Sequence, residues 1–234
     1  YGRKETWLLT RRGKPVAVFC LGISNNAAIR ALAAAGAQVV AWDDKEESRT
    51  NIAGKNVEIR DLQKEDMSGF SCLVLAPGVM LNHPLAERAR AAGLEIICDL
   101  EILHRCGHGR KTVGVTGTNG KSTTTALIGH ILNECGIKAV VGGNIGHAAL
   151  DLEMPPAHGA FVLEMSSYQL DLCPTFAPDI GVLLNITPDH IDHHGSMENY
   201  IAAKKIVFRG AGAAVVAVDS KLIRTIMEEL KNNS

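Results

Sequence analysis

The sequence predicts an α/β protein with two parallel sheets, and three observations support this. Short apolar runs alternate with helical segments along the chain, which is the pattern of a doubly wound parallel sheet. The alternation starts again after a glycine-containing link at 107–110. A glycine-rich loop with a lysine, at 117–122, separates a predicted strand from a predicted helix. We therefore predict a Rossmann-like domain at 1–108 and a P-loop-type mononucleotide-binding domain at 109–234.

The first domain begins with the apolar run Pro15–Leu21, which predicts a buried strand. An Ala-rich helix follows and ends at Gly36, because glycine readily terminates a helix. The predicted elements after the first strand are helix Asn25–Ala35, strand Gln38–Trp42, strand Ser71–Ala76, helix Pro84–Ala92 and strand Glu95–Cys98.

The second domain begins with the apolar run Lys111–Thr116, followed by the glycine loop and a helical pattern over Thr123–Leu132. Strands are predicted at Lys138–Val141, Ala160–Glu164, Ile180–Leu184 and Ala213–Val218, and helices at Met197–Phe208 and Lys221–Lys231. Because the sequence stops soon after its last strand, we expect this domain to be truncated.

Composition excludes several classes of partner. The 234 residues carry 24 Lys and Arg against 25 Asp and Glu, so no basic footprint for nucleic acid or for an anionic membrane is present. No stretch approaches the roughly 20 consecutive apolar residues of a membrane span, and no signal peptide is visible. Six scattered cysteines, several within apolar strands, are typical of reduced thiols. We expect a cytoplasmic protein that binds no nucleic acid and does not span a membrane.

The loop after the strand Lys111–Thr116 has the composition of a phosphate cradle: Gly117, Thr118, Asn119, Gly120, Lys121 and Ser122. Glycines let backbone N–H groups approach an anion, and a helix N-terminus adds its positive dipole end. Lys121 can reach terminal phosphates, and the Ser122 hydroxyl suits Mg²⁺. A strict GxxxxGK[ST] match needs glycine where Val115 stands, so this is a shortened variant. An ordinary glycine turn is the alternative, but the strand and helix context favours nucleotide phosphate.

The first domain carries a degenerate dinucleotide fingerprint over Cys20–Asn25. Only Gly22 of its three expected glycines is present. Asp43 and Asp44, about 20 residues further on, end the second strand where a Rossmann fold places its ribose-binding acid. A Rossmann-like unit that binds nothing remains an equal alternative. Hydride transfer is disfavoured, because the missing glycines crowd a pyrophosphate.

Three further features of the second domain are candidates for a nucleotide site. Glu164 ends a predicted strand, where a carboxylate faces the ligand crevice and can hold Mg²⁺. The polar run Asn185–Asp192 also follows a strand. Lys204 lies in a predicted helix. Each also fits an ordinary exposed side chain or turn, and for Lys204 alone that interpretation is favoured.

A zinc site near the junction is the weakest candidate. His104, Cys106 and His108 lie close in sequence to Cys98. The C-x2-C pairs of structural zinc sites are absent, which argues against zinc.

Four stretches together resemble the Mur ligases, the ATP-dependent amide-forming enzymes of peptidoglycan precursor synthesis. They are GTNGKS at 117–122, Glu-x-Ser-Ser at 164–167, NITPDHID at 185–192 and MENYIAAK at 197–204, in family order and spacing. The stretches 163–170 and 142–146 resemble the family member that adds D-glutamate to UDP-N-acetylmuramoyl-L-alanine. So does Ala76-Pro77-Gly78 before His83-Pro84.

The resemblance implies two ligand sites. ATP would bind at Gly117, Thr118, Asn119, Gly120, Lys121, Ser122 and Thr123. The UDP-linked substrate would contact Ile23, Ser24, Asp43, Asp44, Lys45 and Gly78, with Asn144 and His190 from the central domain.

The resemblance also implies the metal and catalytic groups. Ser122 and Glu164 would hold one Mg²⁺, while His190 and a carbamoylated Lys204 would hold a second ion, which could also be Mn²⁺. Lys121, His190 and Lys204 would be the catalytic residues. The reaction would proceed through an acyl phosphate that the D-glutamate amine attacks.

Two departures from the family pattern bear on this expectation. Cys20 and Asn25 replace expected glycines, which affects the geometry expected for uridine-diphosphate binding. We expect the C-terminal amino-acid-binding domain of the family to be absent, and this chain alone therefore to be an inactive fragment. We also expect a monomer. The alternatives are a Mur ligase for a different amino acid, or a non-catalytic module that binds a nucleotide or UDP-sugar.

Overall fold

The computed structural model describes residues 13–50, 52, 54–106 and 109–232. These residues form two compact units. The first takes the described residues before 107 together with 148–151 and 172–175, and the second takes 109–147, 152–171 and 176–232. Each unit contains one five-stranded parallel sheet, which confirms the predicted α/β class. Of the predicted link at 107–110, the described residues include only Gly109 and Arg110.

The first unit alternates strands and helices. Its strands are β1 (Val16–Phe19), β2 (Val39–Trp42), β3 (Val57–Ile59), β4 (Leu73–Leu75) and β5 (Ile96–Ile97). Its helices are α1 (Ile23–Ala34), α2 (Glu46–Arg49), α3 (Pro84–Ala91) and α4 (Asp99–Arg105). Single 3-10 turns lie at Met67–Gly69 and Ala149–Asp151.

The strand order of the first sheet is β3-β2-β1-β4-β5. This is the arrangement of a Rossmann half-sheet, and its order reverses between β1 and β4. Ligands of such sheets bind in the crevice at the carboxyl ends of the strands where the order reverses. The prediction missed β3, α2 and α4, and the predicted strand Glu95–Cys98 contracts to the two residues of β5.

The second unit has its own strand and helix series. Its strands are β6 (Lys111–Thr116), β7 (Ala139–Gly143), β8 (Ala160–Glu164), β9 (Ile180–Leu183) and β10 (Ala213–Val216). Its helices are α5 (Lys121–Glu134), α6 (Ser167–Asp171), α7 (Ile191–His194), α8 (Met197–Lys205) and α9 (Lys221–Asn232). The helix predicted over Met197–Phe208 ends at Lys205, and a 3-10 turn completes it at Ile206–Phe208.

The strand order of the second sheet is β10-β9-β6-β8-β7, so the strand before the glycine loop is central. β6 pairs with β8 on one side and β9 on the other, and the order again reverses at this strand. The loops after β6, β8 and β9 therefore leave the same edge of the sheet side by side. The predicted phosphate loop, Glu164 and the polar run Asn185–Asp192 therefore all lie at that edge.

Apolar side chains from the strands and facing helices form the two cores. In the first unit, Val18, Ala41 and Val74 pack against Ala28 and Leu32 of α1. In the second, Val115 and Val162 pack against Ile128 and Leu132 of α5. No helix in the described part of the chain is long and apolar enough to cross a bilayer.

Candidate functional site

The glycine loop joins β6 directly to α5. Gly120 is the residue before the helix and has φ +80°, a left-handed conformation that favours glycine. A Cβ at Gly117 would lie 3.1 Å from the Cβ of Leu184, so a larger residue would crowd the strand-end loop after β9. These two glycines let the loop turn tightly and present its backbone at the N-terminus of a 14-residue helix.

The loop after β9 braces the glycine loop through reciprocal hydrogen bonds. The Asn119 N–H donates to Asn185 Oδ1 at 2.8 Å, and Asn185 Nδ2 donates back to the Asn119 carbonyl at 3.0 Å. Thr118 Oγ1 accepts from the Thr187 N–H at 3.0 Å and lies 3.0 Å from the Tyr200 hydroxyl. The cradle is thus fixed by residues far away in sequence. The role of Tyr200, which is 1% exposed, was missed because its sequence position resembles a core aromatic residue.

Two lysines converge on one carbonyl oxygen of this loop. Lys121 Nζ donates to the carbonyls of Gly117 at 2.9 Å and Thr118 at 2.8 Å. Lys204 Nζ, from α8, donates to the same Gly117 carbonyl at 2.8 Å and lies 4.7 Å from the centre of the Tyr200 ring. The sequence favoured an exposed Lys204, but the side chain is 2% exposed. Burial, followed by the nearby charge of Lys121, lowers the pKa of Lys204 from 10.5 to about 7.

The strand-end carboxylate Glu164 is also buried, at 2% exposure. Its Oε1 accepts from Asn144 Nδ2 at 2.9 Å, and its backbone carbonyl accepts from the Asn144 N–H. Gly143 has φ +100°, and a Cβ there would collide with the Glu164 carbonyl, so glycine permits this close approach. Oε2 is buried without a hydrogen-bond partner in the described residues. A buried, unpaired carboxylate oxygen at a strand end is a suitable ligand for a hard cation.

His190 and Lys204, the two residues expected to hold a second metal ion, have different polar partners. His190 has φ +53° and precedes α7, and its Nε2 lies 3.3 Å from Asp189 Oδ2. Its ring lies 4.9 Å from Tyr168 and 6.5 Å from Tyr200, measured between ring centres. His190 and Lys204 therefore share Tyr200 as a neighbour. Ser122 is an exposed residue in the first turn of α5.

A buried hydrogen-bonded chain supports the segment that carries His190. His194 Nδ1 lies 3.0 Å from Asp171 Oδ2, and His194 Nε2 lies 2.9 Å from Ser167 Oγ. Burial lowers the pKa of His194 to about 4 and raises that of Asp171 to about 6. At neutral pH a neutral imidazole therefore donates to an ionised carboxylate. These hydrogen-bonded side chains connect α7 to α6, the helix that follows Glu164.

A separate cavity of about 520 Å³ lies at the carboxyl ends of β1, β2 and β4 in the first unit. It brings together the predicted residues Asp43, Asp44, Lys45 and Gly78. Ile23 and Ser24 begin α1 and are not in its lining, although Ile23 is 74% exposed. The lining also includes Phe19, Cys20, Val79, Met80, Asn82, His83 and Pro84.

Asp43 holds the turn that carries the degenerate fingerprint. Its Oδ2 accepts from the Leu21 N–H at 2.6 Å, and its Oδ1 accepts from the Lys45 N–H at 2.8 Å. Cys20 takes the left-handed conformation, with φ +67°, at a position where the fingerprint has glycine. Asn25 Nδ2 donates to the carbonyls of Phe19 and Cys20, which stabilises this conformation without the missing glycines.

The residues suggested for zinc do not assemble into a described metal site. His108 lies outside the described residues, and Cys98 Sγ lies 3.5 Å from the Sγ of Cys173. The described residues contain no group of three or more His, Cys, Asp or Glu side chains that could hold a metal ion. All six cysteines, each within the described ranges, are free thiols.

Comparison with known proteins gives a consistent result. The model of the Mur ligase middle domain matches residues 115–234. UDP-N-acetylmuramoylalanine--D-glutamate ligase of Paramagnetospirillum magneticum is 48% identical over 226 residues, covering 94% of this chain and 50% of that protein. The enzyme of the same name from Chelativorans sp. is 46% identical over 231 residues, covering 95% and 49%. The chain thus spans about half the length of the curated relatives it matches.

Among solved structures, one ligase from Neisseria meningitides shares the fold. It is UDP-N-acetylmuramate:L-alanyl-gamma-D-glutamyl-meso-diaminopimelate ligase, with a TM-score of 0.61 and 18% identity. The match covers 92% of this chain and 75% of that one. At this identity the likeness concerns the fold alone.

Proposed function

This chain belongs to the Mur ligase family, and from that premise we propose that it forms the UDP-substrate-binding domain and part of the central, ATP-binding domain of a ligase for D-glutamate. The acceptor would be UDP-N-acetylmuramoyl-L-alanine, and the reaction would consume ATP. The observation that carries the proposal is the identity of 44 to 48% with D-glutamate ligases over more than nine-tenths of the chain. The cytoplasm is the proposed compartment, in keeping with six free thiols.

The glycine loop is the proposed ATP site. Its backbone N–H groups and the N-terminus of α5 would hold the phosphates of ATP, together with Ser122 and Thr123. Lys121 would leave its two loop carbonyls and bind the transferring γ-phosphate, whose charge it would stabilise. The braces from Asn185 and Tyr200 would keep the cradle in place during this exchange.

The chemistry has two steps. The alanine carboxylate of the acceptor attacks the γ-phosphorus and forms an acyl phosphate, with ADP as the leaving group. The D-glutamate amine then attacks the acyl carbon and expels phosphate. Asn144 and His190 are the proposed contacts to the acceptor from the central domain. Holding the reactants in line would supply a large part of the rate acceleration.

Glu164 and Ser122 fit a first Mg²⁺, because the unpaired Oε2 and a hydroxyl are oxygen ligands. Bound Mg²⁺ would neutralise charge on the phosphates. His190 and Lys204 are the proposed residues of a second site, which could accept Mn²⁺. The lowered pKa of Lys204 supports carbamoylation, because only the neutral amine reacts with CO₂.

The cavity of the first unit is the proposed UDP site. Asp43, Asp44, Lys45 and Gly78 line it, and a Cβ at Gly78 would meet no atom within 4 Å. The exposed side chain of Ile23 and the adjacent Ser24 would contact the nucleotide at the N-terminus of α1. Asp43 would act partly through the turn that it holds.

The test uses the complete protein that carries this chain. Phosphate release and amide formation are measured with UDP-N-acetylmuramoyl-L-alanine, ATP and Mg²⁺, against D-glutamate, L-glutamate, L-lysine and meso-diaminopimelate in parallel. Turnover that requires D-glutamate supports the proposal. Turnover with another amino acid instead would assign a different member of the family, and nucleotide binding without turnover would indicate a non-catalytic module.

A further inference from the structure

His83 is a cavity residue whose two ring nitrogens have different surroundings. It lies in the loop after β4 and lines the cavity of the first unit. Its Nδ1 accepts a hydrogen bond from the Leu85 N–H at 3.2 Å, and it is the N-cap residue of α3, with Pro84 following. The imidazole thus replaces the serine or aspartate that usually caps a helix.

The cap determines the tautomer of the ring. A nitrogen that accepts a hydrogen bond from a backbone N–H carries no proton, so in neutral His83 the proton is on Nε2. Within the described residues, no protein group accepts a hydrogen bond from this Nε2. His83 therefore offers one fixed donor that the fold itself does not use.

Packing also holds the ring in place. The Phe19 and His83 ring centres are 4.9 Å apart, with 38° between the ring planes. Phe19 ends β1 and lines the same cavity. With one edge held by the cap and one face packed against Phe19, the ring is preorganised at the wall of the cavity. Preorganisation of this kind reduces the entropy lost on binding.

We propose that His83 is a further ligand-binding residue of this cavity, which donates a hydrogen bond from Nε2–H to an oxygen of the bound uridine nucleotide. This inference rests on the proposed UDP site. The acceptor is either a phosphate oxygen or an oxygen of the uridine moiety. The same side chain caps α3 through Nδ1, so one residue performs two separable tasks.

The two tasks can be separated by two amide substitutions. In His83→Asn the short amide can keep the oxygen that caps α3, but it cannot reach the position of Nε2. In His83→Gln the longer amide can place an N–H near the position of Nε2, but it caps poorly. We expect His83→Asn to weaken UDP binding about 5- to 50-fold with little change in melting temperature. We expect His83→Gln to bind UDP within about threefold of the parent and to melt about 4 °C lower.

The experiment measures UDP, UMP and uridine binding by calorimetry, with thermal melting of each variant. His158→Asn, at an exposed loop position, is the matched control. If His83→Asn loses affinity for UDP but not for uridine, the acceptor of the Nε2–H hydrogen bond is a phosphate oxygen. If it loses affinity equally for all three ligands, the acceptor is an oxygen of the uridine moiety. Parent-like UDP binding by His83→Asn, or equal losses in both variants, would overturn the inference. Absence of UDP binding by the parent chain would instead overturn the proposed UDP site.

Discussion

The ammonium group of Lys204 lies 2.8 Å from the carbonyl oxygen of Gly117, an atom that also accepts a hydrogen bond from Lys121 at 2.9 Å. Two cations thus share one neutral acceptor beside the glycine loop. The burial of Lys204, and after it the repulsion from Lys121, lower the pKa of Lys204 and so favour its neutral form. Carbamoylation would replace this repulsion with attraction, because it converts the amine into an anion next to Lys121.

Lys204→Met should therefore stabilise the folded chain while abolishing ligase activity in the complete protein. A pKa of about 7 in the folded state, against 10.5 in the unfolded state, means that burying the charged amine opposes folding below pH 7. This penalty falls as the pH rises from 7 towards 10, because the folded protein then holds the neutral amine. Methionine has a similar length and no charge to desolvate.

We expect a gain of about 1–3 kcal/mol in the free energy of unfolding at pH 6, with a smaller gain at pH 9. Chemical denaturation of both variants at the two pH values measures it. Lys205→Met, at the adjacent partly exposed position, is the control and should show no such gain. A destabilised Lys204→Met chain at pH 6 would contradict this account of the buried charge.

Lys121→Ala should lower the ligase rate of the complete protein by at least about 100-fold and leave the melting temperature nearly unchanged. The ammonium contacts only loop carbonyls in the described structure, so its removal costs little folding energy. Lys138→Ala, at an exposed position before β7, provides the control. Phosphate release under saturating ATP is the measurement, and near-normal turnover would remove the loop lysine from the mechanism.

The sequence predicted most central elements because their signals are local. β6 and β8 have the predicted bounds, since each has an apolar centre and ends beside a run of glycine or polar residues. It missed β3, whose residues are largely exposed, and α4, whose buried Asp99 and Glu101 hide the apolar pattern of a helix. Burial of charged groups depends on partners distant in sequence, so periodicity alone does not reveal it.

Some residues of the candidate sites could likewise be predicted from local sequence, and others could not. The strand-end positions of Glu164 and Asp43 followed from sheet topology, because parallel strands bring their carboxyl ends to one edge. The environment of Lys204 could not be predicted without the resemblance, since its partner Gly117 is 87 residues away. The tautomer of His83 could not be predicted either, because it depends on the exact start of α3.

Asp43→Ala should weaken UDP binding and spare ATP binding. Each carboxylate oxygen of Asp43 accepts a hydrogen bond from a backbone N–H, one from Leu21 and one from Lys45. The substitution removes both hydrogen bonds and therefore loosens the turn. We expect a loss of about 1–3 kcal/mol in stability together with the loss of UDP affinity. Asp44→Ala separates the two effects, because Asp44 is exposed and bonds side chains only. Calorimetry with UDP and ATP on the same protein decides, and an equal loss for both nucleotides would refute separate sites.

Glu164→Gln should make ATP binding nearly independent of Mg²⁺. The substitution keeps the size of the side chain and an oxygen that can accept a hydrogen bond from Asn144. It removes the negative charge from the buried oxygen, Oε2, which has no hydrogen-bond partner among the described residues. A hard cation loses most from that change, because it depends on anionic oxygen ligands. We expect the parent chain to bind ATP at least about 10-fold more tightly with Mg²⁺ than with EDTA, and Glu164→Gln to show less than about a twofold difference.

The stability of Glu164→Gln provides a second readout. Removing a buried charge without a cation should leave the melting temperature in EDTA equal to or above that of the parent. Glu153→Gln, at an exposed loop position, is the matched control and should keep the full response to Mg²⁺. An unchanged Mg²⁺ response in Glu164→Gln would mean that the ion binds elsewhere. If Mg²⁺ raises the melting temperature of the parent in the presence of ATP but not that of Glu164→Gln, the strand-end carboxylate is what couples the cation to the glycine loop.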